Sequence, residues 1–414
     1  MEYGLIGAKL GHSFSREIHA SIADYHYELC ELSPEGVDAL LKNRDFRAIN
    51  VTIPYKETVI PYLDFVSESA RKIGAVNTIV NRNGKLFGDN TDYAGAAALI
   101  RHAGVSIAGK KALILGTGGT SKTLRAVIGD LNAREIVIVS RRPNGSEVSY
   151  ADAAESHSDA EVIVNTTPVG MYPKNGDCPV DLRAFPNLEG AIDVVYNPLR
   201  TNLILQAQAR ELPAEGGLYM LAAQAVYASA LFTGREADEA LIEKAYRGVL
   251  EQKRNIALIG MPSCGKTTVG RIISEMTGRR LLDTDEMIVR RANRSIPEIF
   301  EQSGEAAFRA LERDAVAEAA KQSGVIIATG GGAAIDPRNV QMLRQNGELC
   351  FLDRPLEKLC VTPDRPLSKS AVSLKKRFEE RYPIYCSACD FHIAVSGKPE
   401  DAARQVLNAI GEKI

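Results

Sequence analysis

The sequence predicts an α/β protein with mostly parallel sheets, on two observations. Short β-branched runs alternate with helix-like segments along the whole chain. Two of these runs stop at glycine-rich turns, KALILGTGGTSKT from Lys111 to Thr123 and NIALIGMPSCGKTT from Asn255 to Thr268. In each, an apolar strand gives way at a glycine to a predicted helix, the geometry that aims free backbone N–H groups at a phosphate. The chain therefore carries two nucleotide-type sites. The two turns differ in type, so they are not copies of one repeat.

A length of 414 residues suits two to four domains at roughly 100–200 residues each. Boundaries are expected near residue 95 and near Gln252. This makes residues 1–95 one domain, rejoined by 220–250, with a second at 96–219 and a third at 253–414. A hydrophobic fraction of 45% with 25% charge describes a globular chain rather than a disordered one. Fifty basic and 52 acidic residues leave a net charge of −2, so no global field draws the protein to nucleic acid or an anionic membrane. Any anion must be met by a local cluster. The start, MEYGLIGAKLGHSFS, has neither a cationic n-region nor an apolar h-region. The longest apolar stretch, Gly217 to Phe232, contains Gln224 and is shorter than the ~20 residues needed to span a bilayer. A cytoplasmic location is expected, with small-molecule substrates and neither nucleic-acid nor membrane partners; oligomeric state is not legible. Seven scattered cysteines form no disulfide framework, and Cys386 and Cys389 are a chance CxxC, without a second pair for zinc.

After GTGGT (Gly116, Thr117, Gly118, Gly119, Thr120) the next strand, IVIVS, runs into Ser140, Arg141 and Arg142. A dinucleotide fold places there the group that reads the adenosine ribose, an acid for NAD or an arginine for the 2′-phosphate of NADP. Two guanidinium groups and no carboxylate favour NADP(H), with Arg141 the better phosphate ligand. Ahead of this unit stand GHSFSREIH, NVTIPYKE, GAVNTI and GDNTD, and after it NTTPVGM and GLYMLAAQA. In these motifs, in this order, residues 1–250 resemble the shikimate dehydrogenases. The resemblance implies a substrate domain followed by a Rossmann NADP domain. It implies that Ser13 and Ser15 hold the substrate carboxylate, and that Thr52, Asn77, Tyr196 and Gln224 bond the carboxylate or ring hydroxyls. Lys56 and Asp92 form the catalytic pair, and Glu68, Val194 and Gly217 lie near the cofactor or substrate. The chemistry fits: reducing a ring ketone builds negative charge on oxygen, which a lysine oriented by a carboxylate can neutralise or protonate. Arg16 replaces the usual proline, and Thr117 and Thr120 replace alanines, of that family.

GMPSCGKT, spanning Gly260, Pro262, Ser263, Cys264, Gly265, Lys266 and Thr267, with Thr268 following, is a full P-loop directly after a strand. Its backbone cradles phosphates, Lys266 reaches the β- and γ-phosphates, and the Thr267 hydroxyl binds Mg²⁺. Together with LLDTD, SIPEIFEQSGEAAFRALE, ATGGGAA, DRPLS and ERYPIY, residues 255–414 resemble the shikimate kinases. The resemblance implies a P-loop α/β kinase domain that uses ATP, with Asp283 holding Mg²⁺ through water and Asp285 contacting the reacting hydroxyl. Arg309 and Arg381 clamp the shikimate carboxylate, and Gly331 lets substrate approach the backbone. Arg365 comes from a lid onto the phosphates, although the lid segment is short. Arg309 and Glu312, three apart on a helix, also suit a plain surface ion pair. The triple glycine Gly330–Gly332 is assigned to close approach of a ligand. The two halves together imply a fusion of two consecutive enzymes, reduction of 3-dehydroshikimate followed by phosphorylation of shikimate. Two alternatives are an NAD-using quinate/shikimate dehydrogenase in the first half, and a metabolite sensor that has lost catalysis.

Overall fold

The computed structural model describes residues 1–11, 13–359 and 371–412. It divides into two compact units, Met1–Leu250 and Glu251–Ile414.

The amino-terminal unit holds two sheets. The first comprises β1 (Tyr3–Gly7), β2 (Tyr27–Glu31), β3 (Ala48–Val51), β4 (Phe65–Val66), β5 (Thr78–Arg82) and β6 (Lys85–Asp89), in the order β2-β1-β3-β5-β6-β4. It is mixed, since β5 is antiparallel to both β3 and β6. Asn83 and Gly84 both take positive φ between β5 and β6, the backbone a two-residue hairpin needs. The second sheet comprises β7 (Lys111–Leu115), β8 (Glu135–Val139), β9 (Val162–Asn165), β10 (Gly190–Asp193) and β11 (Ala214–Glu215), all parallel, in the order β11-β10-β9-β7-β8. In β7, Ala112 and Ile114 enter one apolar cluster while Leu113 and Leu115 enter another. Alternate side chains thus feed cores on both faces, as a parallel sheet covered by helices on both sides requires.

The helix Leu218–Thr233 brings the chain back to the first sheet. Its Ala228 and Phe232 share a core with Leu5, Tyr27, Ala48 and Val80. It also packs along the helix Thr91–His102. Residue 95, where the sequence suggests a boundary, lies inside that continuous helix. A Cβ on Gly95 would stand 2.9 Å from the Met220 carbonyl oxygen and 3.1 Å from Gln224 Cβ, so glycine is what lets the two helices approach.

The carboxy-terminal unit has one parallel sheet: β12 (Asn255–Ile259), β13 (Leu281–Asp283), β14 (Ile326–Ala328), β15 (Gly347–Asp353) and β16 (Phe391–Ala394), ordered β13-β14-β12-β15-β16. Every residue of β12 is buried, and the glycine-rich loop leaves its carboxyl end for the helix Lys266–Thr277. Among the described residues no helix is long and apolar enough to cross a membrane.

Gly95→Leu is expected to destabilise the amino-terminal unit by about 1–3 kcal/mol, the cost of overpacking a filled contact. Urea unfolding followed beside dehydrogenase activity measures it; a stability equal to wild type would contradict the packing described.

Candidate functional site

A cavity of about 310 Å³ opens in the amino-terminal unit, lined by Ser13, Ser15, Thr52, Lys56, Asn77, Asp92, Tyr196 and Gln224. All eight sequence-selected polar residues therefore meet in one place. Thr120, Val194 and Gly217, the candidate cofactor residues, line the same cavity. Glu68, the first residue of the helix Glu68–Ile73, is not among the residues lining this cavity.

The candidate catalytic pair is assembled from two separate segments. Lys56 is held by its carbonyl, which accepts from Val76 N–H at 2.8 Å. Asp92 sits in the first turn of Thr91–His102, where a carboxylate complements the helix dipole. That helix lacks a cap from its own Asn90; Asn77 replaces it from β5's approach, its Oδ1 accepting Thr91 N–H at 2.7 Å and its Nδ2 donating to Thr91 Oγ1 at 3.1 Å. The result is an ion pair, Lys56 Nζ to Asp92 Oδ2, at 2.6 Å on the cavity wall. Ser13 Oγ donates to Ser15 Oγ at 3.0 Å, so the two hydroxyls converge. Tyr196 packs edge-on against Phe14 at 5.4 Å, and burial raises its phenol pKa, which keeps it a neutral hydrogen-bonding group. Sequence reading missed Asn50, Lys9 and Met220, which also line the cavity. Asn50 is buried and donates to Asn77 O and Thr78 Oγ1, but a lone asparagine before a valine carries no local signal.

The nucleotide turn lies alongside. Leu115 pairs with Val139 across β7 and β8, and Gly116 N–H donates to Val139 O at 2.8 Å. Gly116 thus stands beside Ser140, and the exposed Arg141 and Arg142 follow at once. Gly116 has φ +107°, and a Cβ there would stand 2.9 Å from both Thr166 Oγ1 and Thr167 Cγ2. Gly118 caps the helix Gly119–Asp130. Among the described residues, nothing beyond their own chain neighbours and helix backbone lies within 4 Å of a Cβ on Gly118 or Gly119, so packing against other segments does not call for glycine there. Backbone N–H groups at a helix start, with two guanidinium groups on the neighbouring strand end, fit the phosphates of NADP. Thr117 is exposed and Thr120 half-buried, so neither threonine crowds the protein interior.

Asp193, a residue that sequence reading passed over, organises the same wall. It is fully buried at the end of β10. Its Oδ1 accepts from Asn165 Nδ2 at 3.0 Å and from Val195 N–H at 2.9 Å, while Oδ2 lies 2.7 Å from Thr201 Oγ1. Burial pushes its pKa up to about 7, against the opposing effect of these hydrogen bonds. The available signal was a charged residue ending an otherwise apolar strand, GAID.

In the carboxy-terminal unit Lys266 is buried, its Nζ donating to Gly260 O at 2.8 Å and Met261 O at 2.9 Å. Thr267 Oγ1 donates to Asp283 Oδ2 at 2.6 Å. A hydroxyl and a carboxylate so paired at the loop's edge suit Mg²⁺ held directly by one and through water by the other. Asp283 also caps Thr284–Ala292, accepting from Asp285 N–H at 2.9 Å. Ser263 holds φ +65° and Gly265 φ +104°, the unusual backbone that turns successive N–H groups inward. Pro262 and Cys264 complete the loop, and Thr268 faces solvent.

The acceptor side is built around Glu312. Its side chain is 1% exposed, and Arg309 Nη1 donates to its Oε2 at 2.7 Å. The pair is buried at its carboxylate and half-buried at Arg309, not the plain surface pair that the i, i+3 spacing also suited. Burial raises the Glu312 pKa, and Asp285 adds to the rise while Arg309 and Arg381 oppose it. Arg381 Nη1 donates to Gly331 O at 3.0 Å, and Tyr385 Oη donates to the same oxygen. Arg377, which sequence reading did not select, has its pKa lowered by burial and then by neighbouring Arg381, marking a third guanidinium here.

The triple glycine also packs against the site's own side chains. A Cβ on Gly330 would stand 2.6 Å from Asp285 Oδ1, one on Gly331 2.7 Å from the Pro262 ring, and one on Gly332 would collide with the Arg309 guanidinium. At Gly331 the rigid Pro262 ring leaves no room for a side chain, whereas at Gly330 and Gly332 a side chain would have to push the ends of Asp285 and Arg309 aside. Arg365 and the segment before it lie outside the described residues. Cys386 is exposed, near the end of the helix Ala371–Ala388, and Cys389 follows it.

The fold and these clusters define a dinucleotide-dependent reductase joined to a P-loop phosphotransferase. Comparison with known proteins names the class more closely. Residues 5–79 match the shikimate dehydrogenase substrate binding domain, 217–245 the shikimate 5'-dehydrogenase C-terminal domain, and 262–411 shikimate kinase. A shikimate dehydrogenase (NADP(+)) of Clostridium perfringens is 37% identical over 262 residues, 59% of this chain and 96% of that protein. One from Caldanaerobacter subterraneus is 34% identical over 273 residues, again 59% of this chain and 96% of its own. The Thermus thermophilus shikimate 5-dehydrogenase, solved in complex with NADP(H) and shikimate, superposes with a TM-score of 0.54 at 32% identity, covering 60% of this chain and 97% of its own. The chain belongs to the shikimate dehydrogenase family and carries a shikimate kinase domain after it.

A neutral Asp193 can donate to Thr201 while accepting from Asn165 and Val195, a pattern that asparagine reproduces. Asp193→Asn is therefore expected to fold, whereas Asp193→Ala loses about 1–3 kcal/mol by stranding buried donors. Because the folded pKa is raised, the native carboxyl keeps its proton after the unfolded one has lost it. The stability of wild type relative to Asp193→Asn should then fall as pH rises from about 4 to about 7 and stay level above; urea titrations across that range measure it. Gly332→Ala should displace Arg309, raising the KM for shikimate about tenfold or more while leaving the KM for ATP within twofold; steady-state kinase assays decide it.

Proposed function

We propose that this protein carries out two consecutive steps of aromatic biosynthesis, reducing 3-dehydroshikimate to shikimate with NADPH and then phosphorylating shikimate to shikimate 3-phosphate with Mg-ATP. The observation that carries the first step is the Lys56–Asp92 ion pair on the wall of a cavity lined by hydroxyl and amide groups. NADPH, when bound, supplies the hydride, and Mg-ATP the phosphoryl group. Ser13 and Ser15 hold the substrate carboxylate, and Thr52, Asn77, Tyr196 and Gln224 orient the ring. Lys56 gives a proton to the ketone oxygen, where negative charge gathers, and Asp92 keeps its ammonium aimed. Gly116, Gly118, Gly119 and Thr120 hold the pyrophosphate, and Arg141 and Arg142 the 2′-phosphate.

In the second unit Arg309 and Arg381 bind the shikimate carboxylate, a planar fork meeting a planar anion. Asp285 contacts the attacking hydroxyl and takes its proton as the oxygen bonds to phosphorus. Lys266 and the loop from Gly260 to Thr268 neutralise the phosphates, with Thr267 and Asp283 at the metal, because phosphoryl transfer asks chiefly for position and charge. Substrates of this kind, with NADPH and ATP, support a cytoplasmic location.

A coupled assay tests the reading: 3-dehydroshikimate, NADPH, ATP and Mg²⁺ should yield shikimate 3-phosphate, and NADH in place of NADPH should support it poorly. Turnover in neither half would overturn the reading in favour of a metabolite sensor. Lys56→Ala should reduce dehydrogenase kcat by about 10²-fold or more and leave phosphorylation of added shikimate unchanged, and Lys266→Ala should do the reverse.

A further inference from the structure

The kinase unit contains a cation that the assignments above leave without a task. β12 and β15 are parallel neighbours, with Ile259 opposite Phe351, so the residues after each strand emerge at the same edge of the sheet. The phosphate loop begins there at Gly260, where a Cβ would stand 2.8 Å from Leu352 O. Arg354 follows β15 directly. Its Nη1 lies 4.0 Å from the place a Cβ would occupy on Gly265, the nearest described atom there outside Gly265's own chain neighbours and local helix backbone. Gly265 is the positive-φ cap of the helix Lys266–Thr277, so with no side chain between them the guanidinium faces the backbone that cradles phosphate. The acid beside it, Asp353, is committed elsewhere, lying 2.8 Å from His392 Nε2 and accepting from Tyr382 Oη at 3.1 Å. Arg354 Nε is buried with no hydrogen-bond partner among the described residues. A buried, unpaired guanidinium nitrogen is costly unless an anion completes it.

Resting on the kinase reading above, we propose that Arg354 is a further catalytic residue, binding the β-phosphate of ATP beside Gly265. Phosphate is the occupant that fits, because a guanidinium fork pairs two phosphate oxygens. The last loop glycine and the first helical N–H groups are where a P-loop meets the inner phosphates. The β-phosphate is also where charge collects as the bond to the transferred phosphoryl group breaks. No lysine or arginine occurs between Leu359 and Arg365 in the sequence, so Arg354 supplies positive charge from a strand end instead.

Binding of ADP and of AMP to the full chain by calorimetry, beside kinase kinetics, tests this. Arg354→Ala should weaken ADP about tenfold or more and AMP less than twofold, raise the KM for ATP and lower kcat, and leave the KM for shikimate unchanged. Arg354→Lys, which keeps the charge but not the fork, should fall between. ADP affinity of Arg354→Ala within threefold of wild type, or equal losses for ADP and AMP, would overturn the proposal. If Arg354→Ala fails to fold by its thermal melt, Arg354→Lys decides by the same comparison, an unchanged ADP affinity counting against. Wild-type protein that binds no ADP would instead sink the kinase reading itself.

Discussion

Parallel strands deliver all their carboxyl ends to one edge of a sheet, and most of the chemistry assigned to this chain follows from that constraint. In β7 and in β12 every residue is buried, so neither strand can offer a functional side chain along its length. Function is pushed to the turn that follows. Gly116, Ser140, Asn165 and Val194 come after or at the ends of β7, β8, β9 and β10, and Gly260, Asp283, Gly330 and Arg354 do the same for β12, β13, β14 and β15. Helix starts at those edges add backbone N–H groups, which makes anions the natural ligands of both units.

Each unit also buries one carboxyl behind its binding wall. Asp193 ties Asn165, Val195 and Thr201 together, and so fixes the turn that bears Val194 and Tyr196. Glu312 holds Arg309, whose guanidinium fills the space a side chain on Gly332 would need. Burial raises both pKa values. Such groups earn their place by geometry more than by stability, since a buried charge recovers little beyond its desolvation cost.

Much of the substrate site was legible because its residues sit in short motifs whose composition is unusual for mere structure. Ser13, Lys56, Asn77, Asp92 and Gln224 lie in five separate segments, yet all reach one cavity. What escaped notice were residues that act through a partner distant in sequence. Asp193 is 28 positions from Asn165, and Arg354 is 89 from Gly265, so neither pairing leaves a spacing to read. Gly330–Gly332 stand out in sequence, but a glycine that Pro262 or Arg309 excludes from bearing a side chain looks there the same as one cleared for a ligand.

The order of the motifs by itself determined the α/β class, the two nucleotide turns, the family of each half and most candidate ligands, because strand-turn-glycine chemistry is local. Only the tertiary structure decided that Asn77 caps the helix bearing Asp92, that Asp193 ties Asn165 to Thr201, and that Arg309 pairs with a buried rather than an exposed Glu312. It also decided which glycines answer to packing. Those outcomes depend on which segments become neighbours through burial of apolar surface, and burial acts without regard to distance along the chain.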